Sequence, residues 1–172
     1  ARRSEAVKAF VTVQRGCDYR CTFCVVPMTR GRERSRKLSD VTREVETLVA
    51  RGVTDVTLLG QTVNSYHDGT NDFADLLYAV GGLPGLRRLR FTSPHPKDFG
   101  ADVAAAMAET ETVCEQLHLP LQSGSDRILA AMHRGYNAER FLAKAELARH
   151  AMPGLGLSTD IIVGFPGETE AD

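Results

Sequence analysis

Three cysteines, Cys17, Cys21 and Cys24, form a Cys-x₃-Cys-x₂-Cys pattern directly after a predicted strand. Ligands four and three residues apart lie within about 10–14 Å of each other even in an extended backbone, so one loop can hold all three thiolates around one inorganic centre. Three thiolates suit a cubane [4Fe–4S] cluster in which one iron has no protein ligand, because an electron-transfer cluster normally takes four cysteines. The pattern therefore predicts a cluster whose open iron is available for chemistry.

Other uses of these thiols stay open. A three-thiolate zinc site normally recruits a fourth ligand, yet no His precedes Leu38 and no second Cys-x₂-Cys pair occurs. A disulfide would leave one thiol over, and no signal-peptide pattern opens the sequence, so we do not expect an oxidising compartment. Cys114 is far downstream, and we expect a small buried hydrophobe there rather than a fourth ligand.

The composition is that of an ordinary globular domain. The 172 residues are 42% hydrophobic and 25% charged, which suffices for one sizeable core. No apolar run approaches the ~20 residues that span a bilayer, so we expect a cytoplasmic protein without a membrane partner. The net charge of −1 gives no overall polyanion-binding signature. Four arginines nevertheless crowd one segment after the cysteines, which indicates either a solvated loop or a rim for a phosphate-rich substrate such as RNA. They are Arg30, Arg32, Arg34 and Arg36.

Five predicted strands alternate with helices along the chain. The strands are 9–14, 53–59, 88–92, 114–119 and 157–163, and the helices are 41–51, 72–80, 101–109, 126–133 and 139–150. Five β/α units without a hairpin signal predict an α/β fold with a parallel sheet and helices outside it. Polar or glycine-rich loops follow every strand, and such loops meet at the carboxyl edge of a parallel sheet. We therefore expect the cysteine loop to lie beside loops 60–64, 93–96, 120–124 and 164–167.

The cysteine loop, with Phe23 before its last cysteine, resembles that of the radical S-adenosylmethionine (SAM) enzymes. Segments around it are similar to the methylthiotransferases, and among them to the MiaB-like tRNA branch. The matching segments are 16–17, 24–27, 29–31, 34–36, 58–61, 63–66, 117–120, 122–125 and 160–168. Met28 departs from the aromatic residue that this branch often carries.

This resemblance implies a partial (β/α)₆ radical SAM barrel, of which about five β/α units are present. Residues 1–8 would be a linker and residues 9–172 the radical SAM core, truncated before its last β/α unit. We expect a fragment of a longer protein, whose amino-terminal methylthiotransferase domain and carboxy-terminal RNA-binding β-barrel lie outside this chain.

The resemblance also implies a function. The family reaction of this branch is 2-methylthiolation of N6-isopentenyladenosine next to the tRNA anticodon. Two alternatives are a methylthiotransferase acting on threonylcarbamoyladenosine in tRNA or on a ribosomal protein aspartate, and a non-catalytic zinc-stabilised RNA-binding module. The implied cofactors are the [4Fe–4S] cluster and SAM, with a second [4Fe–4S] cluster in the missing amino-terminal domain. The implied partners are the tRNA anticodon stem-loop and an electron donor such as flavodoxin or ferredoxin, and we expect a monomer.

Site residues follow from the same resemblance. Cys17, Cys21 and Cys24 would hold the cluster, and Gly60 and Gln61 would contact the amino group of SAM. The carboxylate, ribose and adenine would be bound by further residues at the strand ends, and RNA by the four arginines, while the cluster and SAM themselves carry the chemistry. The further SAM-binding candidates are Ser93, Gln122, Ser125, Asp160 and Gly164.

Overall fold

The fold is known from a computed structural model that describes residues 7–172. Strands and helices alternate over most of this range. The strands are β1 Lys8–Thr12, β2 Gln14–Arg15, β3 Arg34–Ser35, β4 Asp55–Leu59, β5 Arg88–Phe91, β6 Gln116–His118 and β7 Gly156–Ser158. The helices are α1 Val26–Arg30, α2 Leu38–Val49, α3 Phe73–Gly81, α4 Ala101–Glu109, α5 Asp126–Ala131 and α6 Ala138–Ala151.

Five strands run parallel in chain order. β1, β4 and β5 form one sheet and β6 pairs with β7, in both cases parallel. The segment just before β6 joins the two groups, because Leu89 N donates to Thr112 O at 2.7 Å and Cys114 N donates to Leu89 O at 3.0 Å. The predicted α/β fold with a parallel sheet is confirmed. Across residues 7–172 the strands do not close into a barrel.

Helices cover one face of the sheet. In β4, Val56 and Leu58 are fully buried beneath them, whereas Thr57 between them faces the opposite, more open side. Helix α3 begins with a capping box, in which Asp72 and Asp75 each accept a hydrogen bond from the other's backbone N–H. The alternation along β4 therefore places its apolar side chains against the helices and Thr57 on the other face of the sheet.

The basic segment differs from the prediction. Arg34 and Ser35 form β3, which pairs antiparallel with β2, and Arg36 N donates to Val13 O at 2.9 Å. A short helix, α1, follows the cysteines, and α2 begins at Leu38, three residues before the predicted start. A hairpin signal did not reveal this pairing because the long cysteine loop separates its two strands.

The predicted linker of residues 1–8 falls mostly outside the described residues. Lys8 already belongs to β1, and Val7 O accepts hydrogen bonds from Thr54 N and Asp55 N. The sheet thus begins one residue before the predicted boundary at residue 9. Within residues 7–172 no helix is long and apolar enough to cross a bilayer.

Candidate active site

A cavity of about 240 Å³ lies at the carboxyl ends of the parallel strands. The three clustered cysteines line it, and so do four of the residues predicted to bind SAM. These four are Gln61, Ser93, Gln122 and Asp160. Loops that are distant in sequence therefore meet where the strand order predicted.

The cysteine loop is held by backbone contacts at both ends. Gly16 has a φ of 79°, and a Cβ there would lie 2.1 Å from Arg32 O, so only glycine fits. At the other end, Thr22 N donates to Met132 O at 3.2 Å, just beyond α5. All four cysteines of the chain are free thiols, which removes the disulfide alternative in this structure.

Buried Gln14 joins the cysteine loop to the loop after β4. Its Oε1 accepts hydrogen bonds from Gln61 N at 2.8 Å and Thr62 N at 3.3 Å, and its Nε2 donates to Gly16 O at 2.7 Å. A Cβ on Gly60 would lie 2.7 Å from Gln14 Oε1. The glycine predicted to approach a cofactor thus makes room for Gln14 and does not itself line the cavity.

Two rim residues have a strained backbone. Ser93, after β5, has a φ of 59°, and Gln122, after β6, has a φ of 78°. Residues other than glycine rarely adopt such φ angles, and backbone strain of this kind concentrates at functional sites. Gln122 is fixed by two backbone bonds of 2.9 Å, from its N to Asp160 O and from Ile162 N to its O.

Asp160 lies opposite an unpredicted histidine. His118 Nε2 is 3.1 Å from Asp160 Oδ2, and His118 Nδ1 is 3.0 Å from Ser158 Oγ. The imidazole therefore links the ends of β6 and β7 at the cavity. Two sequence signals pointed towards it: it lies two residues before the predicted 120–124 loop, and it belongs to segment 117–120, which is similar to the methylthiotransferases.

A second unpredicted histidine forms the cavity wall with Tyr19. The rings of His95 and Tyr19 stack with centroids 4.4 Å apart, and Tyr19 OH donates to the Asp98 carboxylate at 2.6 Å. His95 is 7% exposed, and burial, with Arg134 and Lys97 nearby, lowers its pKa to about 3, so it is neutral near pH 7.

The buried His95 has a ring N–H donor without a hydrogen-bond partner in the described part of the chain. Its Nδ1 accepts from Lys97 N at 3.2 Å, which places the ring proton on Nε2. That Nε2 is buried and has no hydrogen-bond partner among residues 7–172. A buried donor without a partner costs free energy, so its presence in the cavity wall fits a bound group with an acceptor atom.

Three of the residues predicted to bind SAM do not line the cavity: Gly60, Ser125 and Gly164. Ser125 caps α5 by accepting from Ile128 N at 3.3 Å, and its Oγ donates to Asp172 at 2.7 Å. Gly164 sits in a turn in which its N donates to the Glu168 carboxylate at 2.5 Å. Cys114 also lies outside it, as predicted for a residue that is not a ligand, but it is half-buried and not fully buried.

The four arginines divide into two kinds. Arg30, Arg32 and Arg34 are exposed, and Arg32 forms an ion pair with the exposed Asp18 at 3.3 Å. Arg36 is half-buried, with Nη1 donating to Glu44 Oε2 at 2.6 Å and to Thr12 O at 2.9 Å. Arg36 therefore has structural partners of its own.

Three thiolates from one loop match the ligand set of a [4Fe–4S] cluster with one open iron. Within residues 7–172, no three or more His, Cys, Asp or Glu side chains are grouped closely enough to hold one metal ion. A zinc ion needs its thiolates about 2.3 Å away on all sides, whereas the three thiolates of a cubane each bind a different iron and stand further apart.

Known proteins with similar sequences are tRNA-modifying enzymes. The chain is 58% identical to the tRNA-2-methylthio-N(6)-dimethylallyladenosine synthase of Frankia casuarinae, over 99% of this chain and 32% of that protein. It is 56% identical to the synthase of the same name from Streptomyces griseus, over 99% and 34% of the two chains. The chain thus spans about a third of the length of these relatives.

Solved structures share the fold. One is the radical SAM methyltransferase TsrM of Kitasatospora setae with tryptophan and the analogue aza-SAM bound, at a TM-score of 0.75 and 24% identity over 94% of this chain and 31% of that chain. Another is OxsB, a cobalamin-dependent SAM radical enzyme, at a TM-score of 0.68 and 14% identity over 89% and 23%. At these identities the likeness concerns the fold alone.

A family model covers nearly the whole chain. The model of the radical SAM superfamily matches residues 11–172. Proteins of this superfamily use a [4Fe–4S] cluster and SAM, which agrees with the cysteine pattern and not with a zinc-stabilised module. The match, the parallel α/β fold and the three-cysteine loop agree, and this chain belongs to the radical SAM superfamily.

Proposed function

We propose that this chain is the radical SAM core of a tRNA methylthiotransferase that converts N6-isopentenyladenosine next to the anticodon to its 2-methylthio derivative. One observation carries the proposal: the three cysteines of one loop share a cavity with strand-end residues, in a chain 55–58% identical over its length to synthases of that product. The alternative substrates, a threonylcarbamoyladenosine or a protein aspartate, have no such relative among the proteins named above.

Cys17, Cys21 and Cys24 would hold the [4Fe–4S] cluster. With SAM bound, the cluster would pass one electron from an external donor to SAM, and SAM would supply a carbon radical able to take a hydrogen atom from the unactivated C2 of adenine, which no general base could deprotonate near neutral pH. Thiolates are needed for this ligation, so cluster binding depends on pH.

The surrounding residues would bind and orient SAM. Gln61, Ser93, Gln122 and Asp160 offer amide, hydroxyl and carboxylate groups to the polar parts of the cofactor. The hydrogen bonds of Gln14 to Gly16 O and Gln61 N, with that of Gly16 N to Gln61 Oε1, fix the cysteine loop against Gln61. The distance between the cluster and the SAM site would therefore stay constant. The stacked rings of His95 and Tyr19 form one wall of the cavity.

The RNA would approach over the exposed arginines. Arg30 at the end of α1, Arg32, and Arg34 in β3 are exposed, and their charges suit the phosphates of an anticodon stem-loop. The electron would come from a donor such as flavodoxin or ferredoxin, and the sulfur from a second cluster in a part of the protein outside this chain.

Nucleoside analysis of tRNA tests the proposal. In a strain that lacks the gene for the protein containing this chain, mass spectrometry should find isopentenyladenosine and no 2-methylthio derivative. The unaltered gene should restore the derivative, a Cys17→Ala gene should not, and a Cys114→Ala gene should act as the unaltered one. Accumulation of unmodified threonylcarbamoyladenosine instead would contradict the substrate assignment.

A further inference from the structure

Arg134 is a buried cation in the wall of the cysteine cavity. It is 6% exposed, and among residues 7–172 no Asp or Glu forms an ion pair with it. Burying a charge without a counter-charge is strongly unfavourable, so such residues are rare unless an anion is nearby. The cation therefore needs an anionic neighbour that the polypeptide does not supply as a carboxylate.

The guanidinium is fixed by three hydrogen bonds. Its Nε donates to Tyr136 OH at 2.9 Å, its Nη2 to Pro120 O at 3.3 Å, and its Nη1 to Cys21 Sγ at 3.4 Å. Two of the acceptors are neutral oxygens. The third belongs to a predicted cluster ligand, which is an anionic thiolate when it binds iron.

The backbone is shaped to place this side chain. His133 and Gly135, on either side of Arg134, have φ angles of 57° and 72°, and Arg134 N donates to Leu129 O at 3.0 Å. Two left-handed residues in three reverse the chain sharply between α5 and α6. Tyr136 is anchored in turn, because its OH donates to Pro120 O at 3.0 Å or Leu121 O at 2.9 Å.

We propose that Arg134 is a positioning residue for the cluster: it holds Cys21 as a thiolate ligand and raises the reduction potential of the bound cluster. This inference rests on the proposed function, since it assumes the cluster at the three cysteines. Reduction adds one electron from a low-potential iron–sulfur or flavin donor, and the cluster becomes more negative by one charge while Arg134 stays protonated. A fixed positive charge and an N–H donor at the ligand sulfur both stabilise the more negative state.

Potentiometric titration followed by electron paramagnetic resonance measures this effect. The full-length protein is reconstituted anaerobically, and the titration compares the unaltered chain with Arg134→Gln, Arg134→Lys and the control Arg140→Gln. Arg140 is an exposed arginine of α6, outside the cavity. We expect a clearly more negative midpoint potential for Arg134→Gln, a smaller shift for Arg134→Lys, which keeps the charge, and none for Arg140→Gln.

Each result decides the matter. An unchanged potential in cluster-loaded Arg134→Gln overturns the inference, and weaker SAM binding at that unchanged potential assigns Arg134 to the ligand instead. If Arg134→Gln folds but loses iron, iron retention by Arg134→Lys supports a charge that holds Cys21, whereas loss in both variants overturns it. If Arg134→Gln does not fold, Arg134→Lys decides: a small negative shift of its midpoint potential supports the inference, and an unchanged potential overturns it.

The two proposals fail in different ways. An unaltered protein that binds no iron–sulfur cluster would overturn the proposed function and this inference together. A normal cluster whose potential ignores Arg134 would overturn the inference alone.

Discussion

Ser93 and Gln122 follow different strands, yet both have left-handed backbones and both line the cysteine cavity. Ser93→Gly should remove the strain and raise the free energy of unfolding by about 1 kcal/mol, while losing the hydroxyl. Ser93→Ala loses the same hydroxyl but keeps the strain. If the hydroxyl contacts SAM, equilibrium binding should weaken in both variants, and chemical denaturation should show the stability gain in the glycine variant alone. Unchanged SAM affinity in both would remove Ser93 from the binding residues.

Gly60→Ala should destabilise the protein. The new Cβ would lie 2.7 Å from Gln14 Oε1 and 2.9 Å from Val63 Cα, so the bridge to Gln61 must shift, at a cost of about 1–3 kcal/mol. Gly124→Ala is the matched control, since nothing lies within 4 Å of its added Cβ. Thermal unfolding of the two variants should differ by several degrees. Equal melting temperatures would show that the Gln14 contact adapts without cost.

Cys21→Ala should abolish the cluster, because two remaining thiolates cannot complete a site that needs three. Cys114→Ala, a change at a half-buried thiol outside the cavity, should leave it intact. Iron and sulfide analysis after anaerobic reconstitution should give about four irons per chain in the unaltered and Cys114→Ala proteins. Stoichiometric zinc without iron–sulfur absorption would contradict the assignment.

Replacement of the exposed arginines should weaken tRNA binding. Arg32→Ala combined with Arg34→Ala should reduce the slope of log affinity against log salt by roughly one unit for each phosphate that the protein no longer neutralises. Arg36→Ala should instead lower the free energy of unfolding, since that side chain donates hydrogen bonds to Glu44 Oε2 and Thr12 O. Filter binding across a salt series separates the two effects. An unaltered slope in the double variant would make the segment a solvated surface.

His95 should make stability depend on pH. Its folded pKa is lowered to about 3 from an unfolded value of 6.5, so between these limits the unfolded chain binds a proton that the folded chain does not. Stability should therefore rise with pH through this window, by up to about 1.4 kcal/mol per pH unit from this group. His95→Gln should flatten the rise in denaturation experiments, and His150→Gln, at an exposed position, should not. Parallel curves for all three proteins would show that His95 titrates normally.

The sequence by itself determined the elements and the metal chemistry. Helix α4 spans 101–109 as predicted, and the parallel strand order and the three-cysteine loop follow from the residue pattern. Such features depend on local spacing: a turn of helix, a strand or a ligand loop is encoded within a few neighbouring residues. The prediction that strand-end loops meet at one rim is confirmed for the cysteine loop and for loops 60–64, 93–96 and 120–124, since parallel pairing alone requires it, whereas loop 164–167 does not line the cavity.

Only the tertiary structure decided which side chains complete the site. His118 ends β6, whereas His95 and Arg134 lie in two different loops, and nothing in their local sequence distinguishes an inward side chain from a solvated one. Gly60 likewise owes its need for glycine to Gln14, a residue on another strand. Contacts of this kind arise when distant segments pack together, and burial then imposes the hydrogen-bond and charge requirements that give these residues their roles.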